Sequence, residues 1–171
     1  MPHHQPQTIS LVTIFIQRIF SLPGLFTINT LFMGIMVFSF ADITYTLGNS
    51  MDDTERVETI LEGLATMFVA YGVALEEREG LMRMIGYYPA SLTPRETYLD
   101  HISHQYGVLL LIIALITEVI IQIVKIPDRF IDAVSFELLI YGLATVCLVV
   151  IGYLLAAFCN KLMQGRERIK D

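Results

Sequence analysis

Tyr106-Gly-Val-Leu-Leu-Leu-Ile-Ile-Ala-Leu-Ile-Thr-Glu-Val-Ile-Ile-Gln-Ile-Val124 carries a single charged residue, Glu118. An α-helix needs about 20 predominantly apolar residues to cross a bilayer core of about 30 Å. This stretch has that length and no polar face, so it reads as a membrane span. Upstream, Thr93-Pro94-Arg95-Glu96 is a helix start. Thr93 can cap, Pro94 suits the first turn, and Glu96 completes a capping box. Downstream, Ile126-Pro127-Asp128 is a stop. A helix between these signals has about 33 residues and a length of about 50 Å. It therefore stands about three turns proud of the bilayer before its apolar run enters.

Three further apolar stretches repeat the pattern. The first covers 25–47 and closes at Gly48-Asn49-Ser50; the acidic connection Asp52-Asp53-Thr54-Glu55 follows. The second, 57–75, is the least hydrophobic and holds Glu58, Glu62, Gly63 and Gly72. The third span ends at 126, and the fourth covers 133–158. Gly152 and Ala156 there form a small-xxx-small pair that permits close helix approach. The segment 76–105 is the longest connection. It opens with Glu76-Glu77-Arg78-Glu79, an expected extension of the second helix, and continues into the short apolar piece Leu81–Ile85. Tyr87 and Tyr88 beyond it suit a membrane interface.

Residues 1–24 form a tail and an amphipathic segment. Ser10, Thr13, Gln17 and Ser21 make one polar stripe, and Pro23-Gly24 breaks the pattern. Too short to span, the segment is expected to lie in the interface or against the bundle. The expected fold is thus an all-α integral membrane protein. It is a four-transmembrane-helix bundle over 25–164, with an N-terminal amphipathic interfacial helix and a basic C-terminal tail, 165–171.

The composition agrees. The 171 residues are 54% hydrophobic and 16% charged, against about 25% charged in a soluble domain, and the mean hydropathy is +0.61. A net charge of −6 without a basic run argues against nucleic acid as a partner. Cys147 and Cys159 stand about 18 Å apart along one helix, too far for a disulfide between them. The beginning Met1-Pro2-His3-His4-Gln5-Pro6-Gln7 lacks the charged start and cleavage site of a secretory signal, and neither end carries a lipidation motif.

With four spans, both termini and the 76–105 connection share one side. Arg18, Arg78, Arg83, Arg95, Lys161, Arg166, Arg168 and Lys170 lie there, against Arg56, Lys125 and Arg129 opposite. The positive-inside rule then places the termini in the cytoplasm. A bacterial inner (plasma) membrane is the expected location.

That orientation collects Asp42, Glu58, Glu62, Glu118 and Glu137 in the outer half of the bilayer, with Glu118 about 12 Å deep by helix rise. Acids within spans face an interior or a wet cavity and mark ion or proton paths by default. Carboxylates sharing a dry site also hold protons in common, the condition for a relay. Glu58 and Glu62, at i and i+4, are expected to share one helix face, and an oxygen-rich cation site is chemically possible. The structural reading is that Asp42 and Glu58 are merely solvated, and that Glu118 and Glu137 pair with Lys125 or Arg129. A second group, Asp100-His101-Ile102-Ser103-His104, puts His101 and His104 on one face with Asp100 placed to hold His104. His101 and His104 are the weak candidates for a metal; a solvated helix face is the plainer reading. No Glu-x-x-His spacing supports a di-iron site, no nucleophile motif occurs, and Cys147 sits in apolar surroundings that keep a thiol inert.

Three functions remain compatible with these residues. The first is an oligomeric channel or transport component handling protons or cations through the outer carboxylates. The second is a non-catalytic accessory or assembly subunit of a larger membrane complex. A membrane enzyme built on His101 and His104 is the third. No cofactor is expected, and the expected partners are the lipid bilayer and either further copies of the chain or other subunits.

Overall fold

A computed structural model describes residues 18–49, 54–84, 86, 88, 93–124 and 133–167. They form five helices: α1 Leu22–Asn49, α2 Thr54–Glu76, α3 Arg78–Met84, α4 Pro94–Val124 and α5 Ala133–Glu167. The first, second, fourth and fifth are long and apolar enough to cross a membrane. The chain is an all-α protein with the four-span architecture expected from its hydropathy.

Local sequence explains the helix starts. Thr93 and Glu96 form the expected capping box. The Thr93 N–H donates to Glu96 Oε2 at 3.1 Å, and the Glu96 N–H donates to Thr93 Oγ1 at 3.3 Å. α1 begins three residues earlier than expected. The expected interruption falls just before Pro23-Gly24, at the bend of Phe20 and Ser21 after the helical residues Arg18 and Ile19, and Pro23 itself stands in the first turn of α1, where its missing N–H costs nothing. Ser21 serves as the cap: the Gly24 N–H donates to its Oγ at 3.3 Å and the Leu25 N–H to its carbonyl at 2.8 Å. The amphipathic helix expected over 9–21 lies outside the described residues except for its last four positions.

The extension expected beyond the second span takes a different form. α2 ends at Glu76, Glu77 makes a turn, and α3 follows as a separate short helix. The Glu77 N–H still bonds Val73 O, and the Leu81 N–H bonds Glu77 O, both at 2.9 Å. The break bends the path while keeping backbone groups paired, and Arg78 faces inward beyond it.

The four long helices make an up-down-up-down ring. α2 packs along most of α4, α5 lies on α4, and α1 closes the ring by touching α5 and α2. One end of the bundle carries the start of α1, α3, the start of α4 and the end of α5; we call it the loop end. The other, the hairpin end, carries the end of α1, the start of α2, the end of α4 and the start of α5. Fully buried Leu61, Ala65 and Phe68 of α2 meet Leu110, Ala114 and Ile121 of α4, with Ala144, Leu148 and Ile151 of α5 behind them.

Glycine sets the tightest crossing. A Cβ added at Gly107 would collide with the backbone nitrogen of Glu76 and stand 2.9 Å from the Gly72 carbonyl oxygen. One at Gly72 would stand 2.8 Å from the Leu111 nitrogen. Two backbones therefore touch between α2 and α4, a contact open only to residues without side chains. The expected small-residue pair on α5 has a lesser part. Gly152 accommodates the flexible end of Met36 on α1, with 3.2 Å from its would-be Cβ to Met36 Cε, and Ala156 is exposed.

Candidate functional site

The acids of the hairpin half separate into distinct places. At its rim Asp42 is ion-paired with Arg56, whose terminal nitrogen lies 2.8 and 3.0 Å from the two carboxylate oxygens. Their side chains are 39% and 54% exposed, so this pair adds at most about 1 kcal/mol. Glu58 lies against α5, where the Tyr141 hydroxyl donates to its Oε2 at 3.4 Å. Glu62, one turn further on, accepts a hydrogen bond from α4.

Glu62 and Glu118 do come together, through a residue not anticipated from the sequence. The Gln122 amide nitrogen donates to Glu62 Oε1 at 3.2 Å and to Glu118 Oε1 at 3.3 Å. The Thr66 hydroxyl donates to Glu118 Oε2 at 3.5 Å. An amide nitrogen carries two hydrogens, so one side chain bridges two acids across the α2–α4 seam. Glu62 is eight residues into α2 and Glu118 six residues from the end of α4, which sets both about 9 to 12 Å from the helix ends. The seam does not open inward, where Leu61, Ala65, Ala114 and Ile121 are tightly buried. It faces out of the bundle: Thr66 and Gln122 are exposed and both glutamates half-buried. Glu137 stands in the second turn of α5, but its side chain, and the suggested partners Lys125 and Arg129, lie outside the described residues.

A second polar site holds the loop end, and it uses Asp100 in an unexpected way. Asp100 takes Arg78 as its partner in place of the expected His104, and the Tyr88 hydroxyl donates to its second oxygen at 2.9 Å. The Arg78 Nε–H donates to the Phe20 carbonyl at 3.0 Å. Only 6% of the Arg78 side chain and 12% of the Asp100 side chain remain exposed. Burial draws the guanidinium below its ordinary pKa, and the neighbouring Tyr88 and Glu96 oppose that shift. The cluster ties the segment before α1, α3 and α4 into one corner. His101 and His104 are exposed, and among the described residues no three His, Cys, Asp or Glu side chains are grouped to hold a metal ion.

A third polar point lies between α1, α2 and α5. Asn29 is fully buried. Its amide nitrogen donates to the Leu155 carbonyl at 2.7 Å and to Cys159 Sγ at 3.0 Å, while the Tyr71 hydroxyl donates to its oxygen at 3.4 Å. A lone amide inside an apolar span is the signal that marks such a node, because interhelical hydrogen bonds are where polar side chains in spans find partners. Gln122 had a comparable signal, one helical turn beyond Glu118.

No known protein family, curated protein or solved structure matches the chain. The physical reading therefore rests on its own residues.

Proposed function

We propose that the chain is an oligomeric membrane protein that handles protons or cations at the Glu62–Gln122–Glu118 seam. The observation that carries this reading is the outward aspect of the seam. Carboxylates at that depth are costly against hydrocarbon and are found facing protein or water. Thr66 and Gln122, which bond the two glutamates, are exposed on the outside of the bundle. The exposed face of α2 beside them presents Thr59, Gly63, Thr66 and Ala70, side chains small enough for another helix to approach closely. A second copy seated there would enclose four glutamates between two protomers. Protons or cations could then be exchanged along a path that neither copy forms alone. The excess of Lys and Arg at the loop end supports a cytoplasmic position for that end and an outer position for the seam.

Reconstitution tests both halves of the proposal. The native chain is expected to form one discrete oligomer in bilayers and to pass protons or a cation in proteoliposomes. Glu118→Gln and Glu62→Gln should lower that flux. A chain that stays monomeric and carries no flux would sink the reading. Co-purification with a fixed second protein would then favour the accessory-subunit role.

A further inference from the structure

The geometry points to a binding site for an anionic phospholipid at the loop end, with its headgroup on Arg95 and an acyl chain in a groove along α1. This goes beyond the acid seam, which lies toward the opposite end of the bundle, and does not depend on it.

Three openings in the surface run into one another. The first, about 690 Å³, lies at the loop end among Phe20, Met82, Leu99, Arg78 and Arg95. The second, about 420 Å³, shares Arg95, Leu22 and Pro23 with it and is walled by Phe26, Leu162 and Met163. The third, an open groove of about 500 Å³, shares Phe26 and Thr27 with the second and continues past Leu31 and Gly34 to Phe38. From Leu22 to Phe38 the track covers about 24 Å of helix rise. One leaflet of the bilayer core is about 15 Å thick, so the track is long enough to hold a lipid tail.

Charge is placed at one end of this track only. Arg95 is the one charged side chain lining the second opening among the described residues. It is exposed and has neither an ion pair nor a hydrogen bond among them. The other charged side chains lining the first opening are already engaged: Arg78 by Asp100, and Glu96 by the Thr93 N–H and hydroxyl. A free guanidinium at the head of an apolar track matches a phosphodiester, which it can bind through two parallel N–H groups. The lower track has no such group. Thr27 and Thr30 spend their hydroxyls on the carbonyls of Pro23 and Phe26, both at 2.8 Å, and so present methyl groups. Gly34 leaves a gap in the wall, since a Cβ there would meet no atom within 4 Å. A charged head site above an apolar track is the complement of a membrane amphiphile.

The test uses the full-length purified chain in detergent, titrated with phosphatidylglycerol, phosphatidylcholine and inorganic phosphate and followed by native mass spectrometry. Phosphatidylglycerol is expected to bind about tenfold more tightly than phosphatidylcholine, equivalent to about 1.4 kcal/mol. Inorganic phosphate should not displace it. Arg95→Gln should bring the two lipids to equal affinity, and Gly34→Leu should weaken both while leaving helicity unchanged. Retained lipid preference in Arg95→Gln would overturn the assignment, as would full lipid binding by Gly34→Leu or displacement by inorganic phosphate. If Gly34→Leu alters oligomeric state and leaves lipid binding intact, the groove belongs to a second copy and the proposal fails.

Discussion

Replacing Asp100 by Asn keeps the size of the side chain and removes the charge that faces Arg78. The Arg78 guanidinium is almost wholly enclosed, so water cannot take over the lost interaction. Its Nε–H keeps the Phe20 carbonyl, but its terminal nitrogen is left facing a neutral amide. Leaving one partner of a buried ion pair uncompensated costs about 3 to 5 kcal/mol. The asparagine oxygen still accepts a hydrogen bond, which sets the expectation near the lower end, about 3 kcal/mol. Removing both charges together, with Arg78→Met and Asp100→Leu, restores an apolar corner and should cost less than Asp100→Asn alone, because paired buried charges are often replaceable at little net loss. Reversible unfolding in mixed micelles by added dodecyl sulfate, read by far-ultraviolet circular dichroism, measures each difference. The reasoning is refuted if Asp100→Asn unfolds within about 1 kcal/mol of the native chain. It is also refuted if the double variant loses more than the single one, since a coupled buried pair predicts the opposite order.

Other variants test separate parts of the structure. Gly107→Ala should destabilise the bundle by about 1 to 3 kcal/mol through forced separation of α2 from α4, whereas Gly142→Ala, whose Cβ meets nothing within 4 Å, should be neutral or gain up to about 1 kcal/mol from helix propensity; the same denaturation assay separates them. Asn29→Leu should cost between about 0.6 and 1.7 kcal/mol, the range for hydrogen bonds between membrane helices, and thiol labelling should find Cys159 more reactive once its Asn29 contact is gone. Tyr88→Phe should cost about 1.5 kcal/mol by removing one hydrogen bond to a carboxylate, leaving Arg78 and Asp100 paired in a stability series with Asp100→Asn.

The number and order of the long helices were legible because a span must be apolar over its whole length, and Tyr106–Val124 has no other soluble or membrane explanation. Helix starts were legible where a side chain makes the cap, as at Thr93 and Glu96. Pro23-Gly24 marks the interruption to within a few residues, since a proline suits the first turn of the helix that follows a bend as well as the bend itself. The acid band was visible as a set of residues, but its division was not. Hydropathy gives the depth of a residue, whereas the rotation of each helix decides its neighbour. Glu58 and Glu62 are one turn apart, and one accepts a bond from Tyr141 of α5 while the other accepts one from Gln122 of α4. Arg78 stands in a charged stretch and Asp100 beside two histidines, and their pairing depends on the turn at Glu77, which no local motif announces. Gly107 likewise has no meaning until Gly72 and Glu76 lie across from it.

Disulfide trapping at position 63 examines the outward seam most directly. The chain would carry Gly63→Cys, with Cys147 and Cys159 replaced by Ser, and would be oxidised in liposomes at low protein density. Gly142→Cys on the exposed face of α5 serves as the comparison, because both glycines have open space around them. Cross-linked dimer forming rapidly at position 63 and not at 142 is the expected result. Equal trapping at the two positions, or none at 63 while 142 reacts, would show that the α2 face beside Glu62 and Glu118 is not where copies of the chain meet.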